Sequence, residues 1–338
     1  MNESDLEDWR RRALRLEGAI REVVLGMSQA VRLTTVALFA RGHVLLEGDV
    51  GVGKTTLLRA VARAVGGGYQ RIEGTIDLMP SDLVYYTQVG DDGRPRVLPG
   101  PLLTHGEHLS VFFFNEINRA RPQVHALLLR LMAEQSISAF NREYRFPHLS
   151  VFADRNRVER EETFELPAAA RDRFLMEILV EAPDEPAQLE ALMFDPRFHD
   201  TARLVEPVPA GLLDPTRLEE LAARIQLQVQ ASPALRRYGV ELWQATREPA
   251  RFGITLPEVE VGELVHAGAS PRGMAMLVRA ARVHAWLEGR DAVVPEDLRA
   301  VFVETVAHRI ALQPVYEAQR DRIARPLAQQ ILRRVASP

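Results

Sequence analysis

The chain has 338 residues, 46% hydrophobic and 26% charged, a globular composition long enough for two domains and unlike disordered, collagenous or coiled-coil sequences. Lys+Arg 42 against Asp+Glu 46 leaves a net charge of −4, which lacks the overall basic footprint of a nucleic-acid or anionic-membrane binder. The absence of cysteine excludes disulfides, thiolate metal sites and a Cys nucleophile.

The N-terminal MNESDLEDWRRR is acidic and then basic, without the apolar core of a signal peptide, and Arg10-Arg-Arg12 reads as a solvated helix face. The most apolar stretch, residues 31–40, is interrupted by Arg32, Thr34 and Thr35 and stopped by Arg41. It is too short and polar to span a bilayer, so a soluble cytoplasmic protein is expected. Residues 43–47 (HVLLE), 69–73 (YQRIE), 111–114 (VFFF), 149–153 (LSVFA) and 174–180 (FLMEILV) read as strands. Residues 55–65 and 122–134 have the apolar spacing of helices, and this alternation predicts an α/β unit with a largely parallel sheet between helices. Residues 83–99, with Asp-Asp-Gly, and 137–146, with Asn-Arg-Glu, read as two inserted hairpins.

A Pro-rich stretch follows, and from there the pattern is helical. The expected division is a nucleotide-binding domain over 1–185, a linker over 186–213 and a helical domain over 214–338. Asp214-Pro215, Ser232-Pro233 and Ser270-Pro271 each place a capping residue before a Pro at the first helical position. Gly289 can close the helix that starts after Ser270, and Pro326 should kink or end the last helical pattern.

Chemistry enters at Gly48, Asp49, Val50, Gly51, Val52, Gly53, Lys54 and Thr55, a G-x-x-x-x-G-K-[ST] match that follows the HVLLE strand and opens a helix at Lys54, Thr55 and Thr56. Glycines there let backbone N–H groups turn inward around phosphates, beside the positive end of a helix. Of the 42 basic residues, Lys54 is the single lysine, and the other 41 are arginine. A chain that otherwise uses guanidinium has kept a compact ammonium at this position. Lys54 is expected to reach the β/γ-phosphates of ATP and Thr55 to ligate Mg²⁺.

The VFFF strand ends in Asn115-Glu116. Glu116 is placed to orient or polarise an attacking water, while Asn115 stands where an Asp is expected to hold the Mg²⁺ water shell. A neutral Asn115 predicts weak Mg²⁺ binding and slow turnover. His105-Gly-Glu-His108 reads as a solvated loop rather than a metal site. Met274 and Met276 lie two apart and so not on one helical face, and at least one of them reads as packing.

Several segments in order resemble the MoxR family of AAA+ ATPases over about residues 20–310. They are Gly42-His-Val-Leu-Leu-Glu-Gly, Asp77-Leu-Met-Pro-Ser-Asp82, Gly100-Pro101, Asn115-Glu-Ile-Asn-Arg-Ala120, Leu166-Pro-Ala-Ala-Ala-Arg-Asp-Arg-Phe174, Gly268-Ala-Ser-Pro-Arg272 and His308-Arg309. The resemblance implies an AAA+ P-loop domain with two hairpin insertions, followed by an all-helical lid, in a ring-forming, hexameric ATPase. It also implies a von Willebrand A-type partner and a client metal- or cofactor-dependent enzyme such as methanol dehydrogenase.

By motif, Asn156 resembles the first sensor of the γ-phosphate, Arg173 the arginine finger offered to a neighbouring subunit (with Arg171 an alternative), and Arg272 the second sensor, on the lid. Three departures stand out: Asn115 for Asp, Ala153-Asp-Arg-Asn-Arg157 for Ala-Thr-Gln-Asn-Pro, and Glu162-Thr-Phe-Glu165 for Gly-Thr-Tyr-Pro. A slow ATP-binding scaffold is the alternative that Asn115 raises, and magnesium chelatase is a related ring system. A monomeric P-loop kinase would leave Arg173 and Arg272 unexplained.

Overall fold

Unbroken apolar runs such as VFFF make stable strands where both faces are covered. A computed structural model, which describes residues 3–156, 164–201 and 203–338, meets this condition. The chain divides into two units, Arg11–Arg173 with Ile178–Glu219, and Met1–Arg10 with Phe174–Glu177 and Glu220–Pro338. Along the first part run α1 (Glu3–Arg21), α2 (Ser28–Phe39), β1 (His43–Glu47), α3 (Lys54–Val65), β2 (Gly68–Glu73), α4 (Pro80–Val84), β3 (Tyr85–Val89) and β4 (Pro95–Pro99). Then come β5 (Leu109–Asn115), α5 (Pro122–Glu134), β6 (Ser136–Ala139), β7 (Arg142–Arg145), β8 (Ser150–Arg155), α6 (Ala168–Arg171), β9 (Phe174–Leu179) and α7 (Pro186–Phe194).

The central sheet has the order β2-β5-β8-β1-β9, and β2, β5, β8 and β1 pair in parallel. Every residue of β1 and β5 is buried. Phe112, Phe113 and Phe114 are 0% exposed, each such side chain contributing about 1.5–3 kcal/mol by burial. Helix α2 packs on β1 and α3 on β5. The two inserted hairpins are the antiparallel pairs β3–β4 and β6–β7, and Tyr85 of the first meets Phe140 at the turn of the second with ring centroids 5.4 Å apart. In the Pro-rich stretch, Val208 and Glu206 carbonyls accept hydrogen bonds from Arg63 at 2.7 and 3.2 Å.

The order of the sheet matters for function. The chain leaves β1 for β2 on the far side and later returns to place β8 beside β1. Ligands of open α/β sheets bind beyond the carboxyl ends of strands at such a reversal.

The second unit is built from α8 (Leu218–Gln228), α9 (Pro233–Arg247), α10 (Pro271–Leu287), α11 (Pro295–Val306), α12 (Pro314–Glu317) and α13 (Arg320–Arg334). The expected caps are present: Ser232 accepts from the Leu235 amide and Ser270 from the Gly273 amide, such a cap being worth about 1 kcal/mol. Asp214 caps a 3-10 turn, Pro215–Arg217, that leads into α8. Gly289 follows α10 with φ +77°. Helix α13 continues through Pro326 and does not end there.

Candidate functional site

The carboxyl ends of β1, β5 and β8 lead into the phosphate loop, Asn115-Glu116 and Asn156 respectively. After β1 the chain turns through Gly51 and Gly53, at φ +82° and +97°, and enters α3 at Lys54. Left-handed backbone at these two positions is open to glycine with little penalty. Asp49 and Val50 are exposed, Val52, Thr55 and Thr56 are half-buried, and Lys54 is buried. The Lys54 ammonium donates to the carbonyls of Gly48 and Asp49 at 2.8 and 2.9 Å and to Asn156 Oδ1 at 2.9 Å.

Asn156 follows β8 directly and joins two charged groups. Its Oδ1 accepts from Lys54, and its Nδ2 donates to Glu116 Oε1 at 3.2 Å. The other Glu116 oxygen accepts from Arg119 at 2.9 Å. Glu116 itself has φ 52° and ψ 51°. Left-handed backbone is uncommon for a residue with a side chain and is found at functional sites where surrounding contacts impose it. One such contact is the hydrogen bond from the Glu116 amide to Asp154 Oδ1, at 2.6 Å. Asn115, one residue earlier, is buried, and its carbonyl accepts from the Gly74 amide at 2.7 Å.

Asp154 is a residue to which the sequence pattern assigns no role. It is 2% exposed, and its Oδ2 lies 3.9 Å from Lys54 Nζ. Burial pushes its carboxyl up to about 6, against the opposing pull of the Glu116 amide and Lys54. The available signal was a charged residue inside an otherwise apolar, buried run, LSVFAD, since acidic side chains are almost never fully buried without a partner.

The structure therefore brings Lys54, Asn156 and Glu116 into one hydrogen-bonded chain, with Asp154 beside it. Arg171, at the end of α6, is 7% exposed, whereas Arg173 is more open. Arg272 lies in the second unit, next to Pro271 in the first turn of α10, and is exposed. Arg157, Glu162 and Thr163, of the two remaining departures, lie outside the described residues. His105 contacts the Tyr69 carbonyl at 3.1 Å, and the described residues contain no cluster of three or more His, Asp or Glu suited to a metal ion. Among them, no helix is long and apolar enough to cross a membrane.

Residues 43–176 match the model of the ATPase family associated with various cellular activities (AAA), and 259–334 match an AAA lid domain. The chain is 64% identical to Protein MoxR of Methylorubrum extorquens, covering 98% of this chain and 97% of that protein. It is 60% identical to Protein MoxR of Paracoccus denitrificans, over 94% of each chain. Chaperone MoxR1 of Mycobacterium tuberculosis is 33% identical over 94% of this chain and 80% of its own. A crystal structure from Cytophaga hutchinsonii superposes with a TM-score of 0.83 at 29% identity, covering 99% of this chain and 98% of that one.

Proposed function

The chain belongs to the MoxR family of AAA+ ATPases, and from that premise we propose that it hydrolyses ATP with Mg²⁺ between the subunits of a hexameric ring to remodel or activate a partner protein. The partner system is a von Willebrand A-type protein together with a client metal- or cofactor-dependent enzyme such as methanol dehydrogenase, in the cytoplasm. The name chaperone carried by the Mycobacterium tuberculosis relative supports action on a client. The observation that carries the reading is the Lys54–Asn156–Glu116 chain, which links a phosphate-binding cation, a polar sensor and a carboxylate at the ends of adjacent strands.

Each residue then has a chemical task. The backbone amides of residues 48–56 and the N-terminus of α3 hold the phosphates, and Lys54 neutralises their developing charge. Glu116 accepts a hydrogen bond from the attacking water and aligns it. Asn156, already bonded to both Lys54 and Glu116, couples the state of the γ-phosphate to that carboxylate.

The oxygen donors available here are the Thr55 hydroxyl, the Asn115 amide and a neighbouring buried carboxylate, a hard set that suits Mg²⁺. When bound, Mg²⁺ supplies charge neutralisation on the phosphates. Thr55 would hold it directly, and Asn115 would face its water shell as a neutral acceptor.

Arg173 is the finger for the neighbouring subunit, supported by its greater exposure than Arg171. Arg272 opposes the dipole of α10 by about 0.3–1 kcal/mol in the first helical turn, a placement that an anion opposite it would offset. Size-exclusion chromatography with and without ATP tests the ring: assembly on ATP addition supports it, and a persistent monomer overturns it. Co-purification of the native protein tests the partner.

A further inference from the structure

The carboxylate expected at position 115 is missing, yet the same end of the sheet contains a buried carboxylate one strand away. β8 lies between β1, which runs into the phosphate loop, and β5. On one side Asp154 is level with Leu46 of β1. On the other, one step beyond the Phe114–Ala153 pair, it comes level with Asn115. Side chains level with one another on adjacent strands project from the same face of a sheet. Asp154 and Asn115 therefore share one face, and Asp154 is on the strand nearer the loop.

The two oxygens of Asp154 have different surroundings. Oδ1 accepts the Glu116 amide at 2.6 Å. Oδ2 stands 3.9 Å from Lys54 Nζ, beyond hydrogen-bonding distance. A carboxylate that is 2% exposed is costly unless cations or hydrogen-bond donors compensate it. One backbone amide, a distant ammonium already bonded to three other oxygens and the charge of Arg71 do not outweigh the cost of burial, which still pushes the carboxyl up.

On the reading of the phosphate loop given above, we propose that Asp154 supplies, from the adjacent strand, the carboxylate that Asn115 lacks, and holds the water shell of the nucleotide's Mg²⁺ together with Thr55. The charge of the site has been moved by one strand. Asn115 and Asp154 are then coupled departures, and neither implies a weakened metal site.

The test separates charge from structure, because Asp154→Asn retains an acceptor for the Glu116 amide and removes only the charge. Affinity for a fluorescent ATP analogue in EDTA reads the phosphate loop without metal. Mn²⁺ titration into full-length protein in excess over AMPPNP, followed by loss of the free-ion electron paramagnetic resonance signal, reads the metal. Asp154→Asn is expected to keep its nucleotide affinity in EDTA and to bind Mn²⁺ about 10–100-fold more weakly, the range seen when groups holding a metal's outer shell are removed. Adding Asn115→Asp to Asp154→Asn should restore most of that affinity.

Unchanged Mn²⁺ affinity in Asp154→Asn overturns the proposal, as does a loss that Asn115→Asp leaves unrepaired. Loss of nucleotide affinity in EDTA by Asp154→Asn would assign the residue a structural role instead. Failure of the wild-type chain to bind nucleotide in EDTA would overturn the phosphate-loop reading, and the proposal with it.

Discussion

Lys54 shows how much one side chain carries here. It is the single lysine of the chain, and its ammonium is held by two loop carbonyls and Asn156, inside the loop proposed to bind phosphate. Charge-assisted contacts to phosphate are the stronger class of hydrogen bond. Lys54→Ala should therefore abolish tight ATP binding by calorimetry; wild-type affinity in that variant would remove the phosphate-loop assignment. Glu116 is coupled to Asn156 and Arg119 and is expected to act on the water, not on the nucleotide. Glu116→Gln should bind ATP normally and lose hydrolysis by about 10²–10⁴-fold, the usual worth of a positioned proton acceptor. Parallel titration and phosphate-release assays check this, and intact turnover would mean that β5 is not the catalytic strand.

At the scale of elements, two buried contacts explain residues with no chemical task. Gly273 sits in the first turn of α10, where a Cβ would come 2.4 Å from Arg309 Cδ. Arg309 is buried and donates to the carbonyls of Phe174, Leu175 and Thr305, so the arginine needs the space that glycine leaves. His125 fixes α5 to the turn that follows Glu116: its Nε2 donates to the Ile117 carbonyl at 2.8 Å, while its buried Nδ1 has no hydrogen-bond partner among the described residues. Burial holds its pKa below the usual histidine value, against the raising effect of the Ile117 carbonyl.

The folded state thus keeps His125 neutral, whereas the unfolded chain takes up a proton below about pH 6.5. Its contribution is complete above that pH and falls as the pH drops, with a limiting slope of ~1.4 kcal/mol per unit. Urea unfolding at pH 7.5 and 5.5 should show a smaller acid loss in His125→Gln than in wild type; equal losses would show that this histidine does not set the dependence.

For the whole molecule, the proposed reaction needs more than one chain, because in it Arg173 is assigned to a neighbour's nucleotide. Arg173→Ala should bind ATP normally yet hydrolyse it poorly, fingers of this kind being worth ~10³–10⁵ in rate. Mixed with Lys54→Ala, it should regain part of the activity, since each variant supplies the element that the other lacks. An absence of rescue at every mixing ratio would rule out an active site shared between subunits.

What the sequence determined by itself was local. The phosphate loop is encoded in eight consecutive residues between a strand and a helix, and Ser232 and Ser270 cap helices that begin at the very next residue. The apolar runs of β1 and β5 and the turn residues of both hairpins act over short spans, so their patterns are readable without a partner. Between the two outcomes open at Pro326, a kink or an end, the local sequence did not choose; α13 continues through it, because packing along a helix can outweigh the local preference of one residue. Tertiary structure alone decided that Asn156 lies against Lys54, 102 residues away in sequence, and that Asp154 holds the Glu116 amide. It also put Asp154 level with Asn115, which makes two separate departures one arrangement of charge. Strand order and register set those distances, and they arise when the whole sheet buries both of its faces.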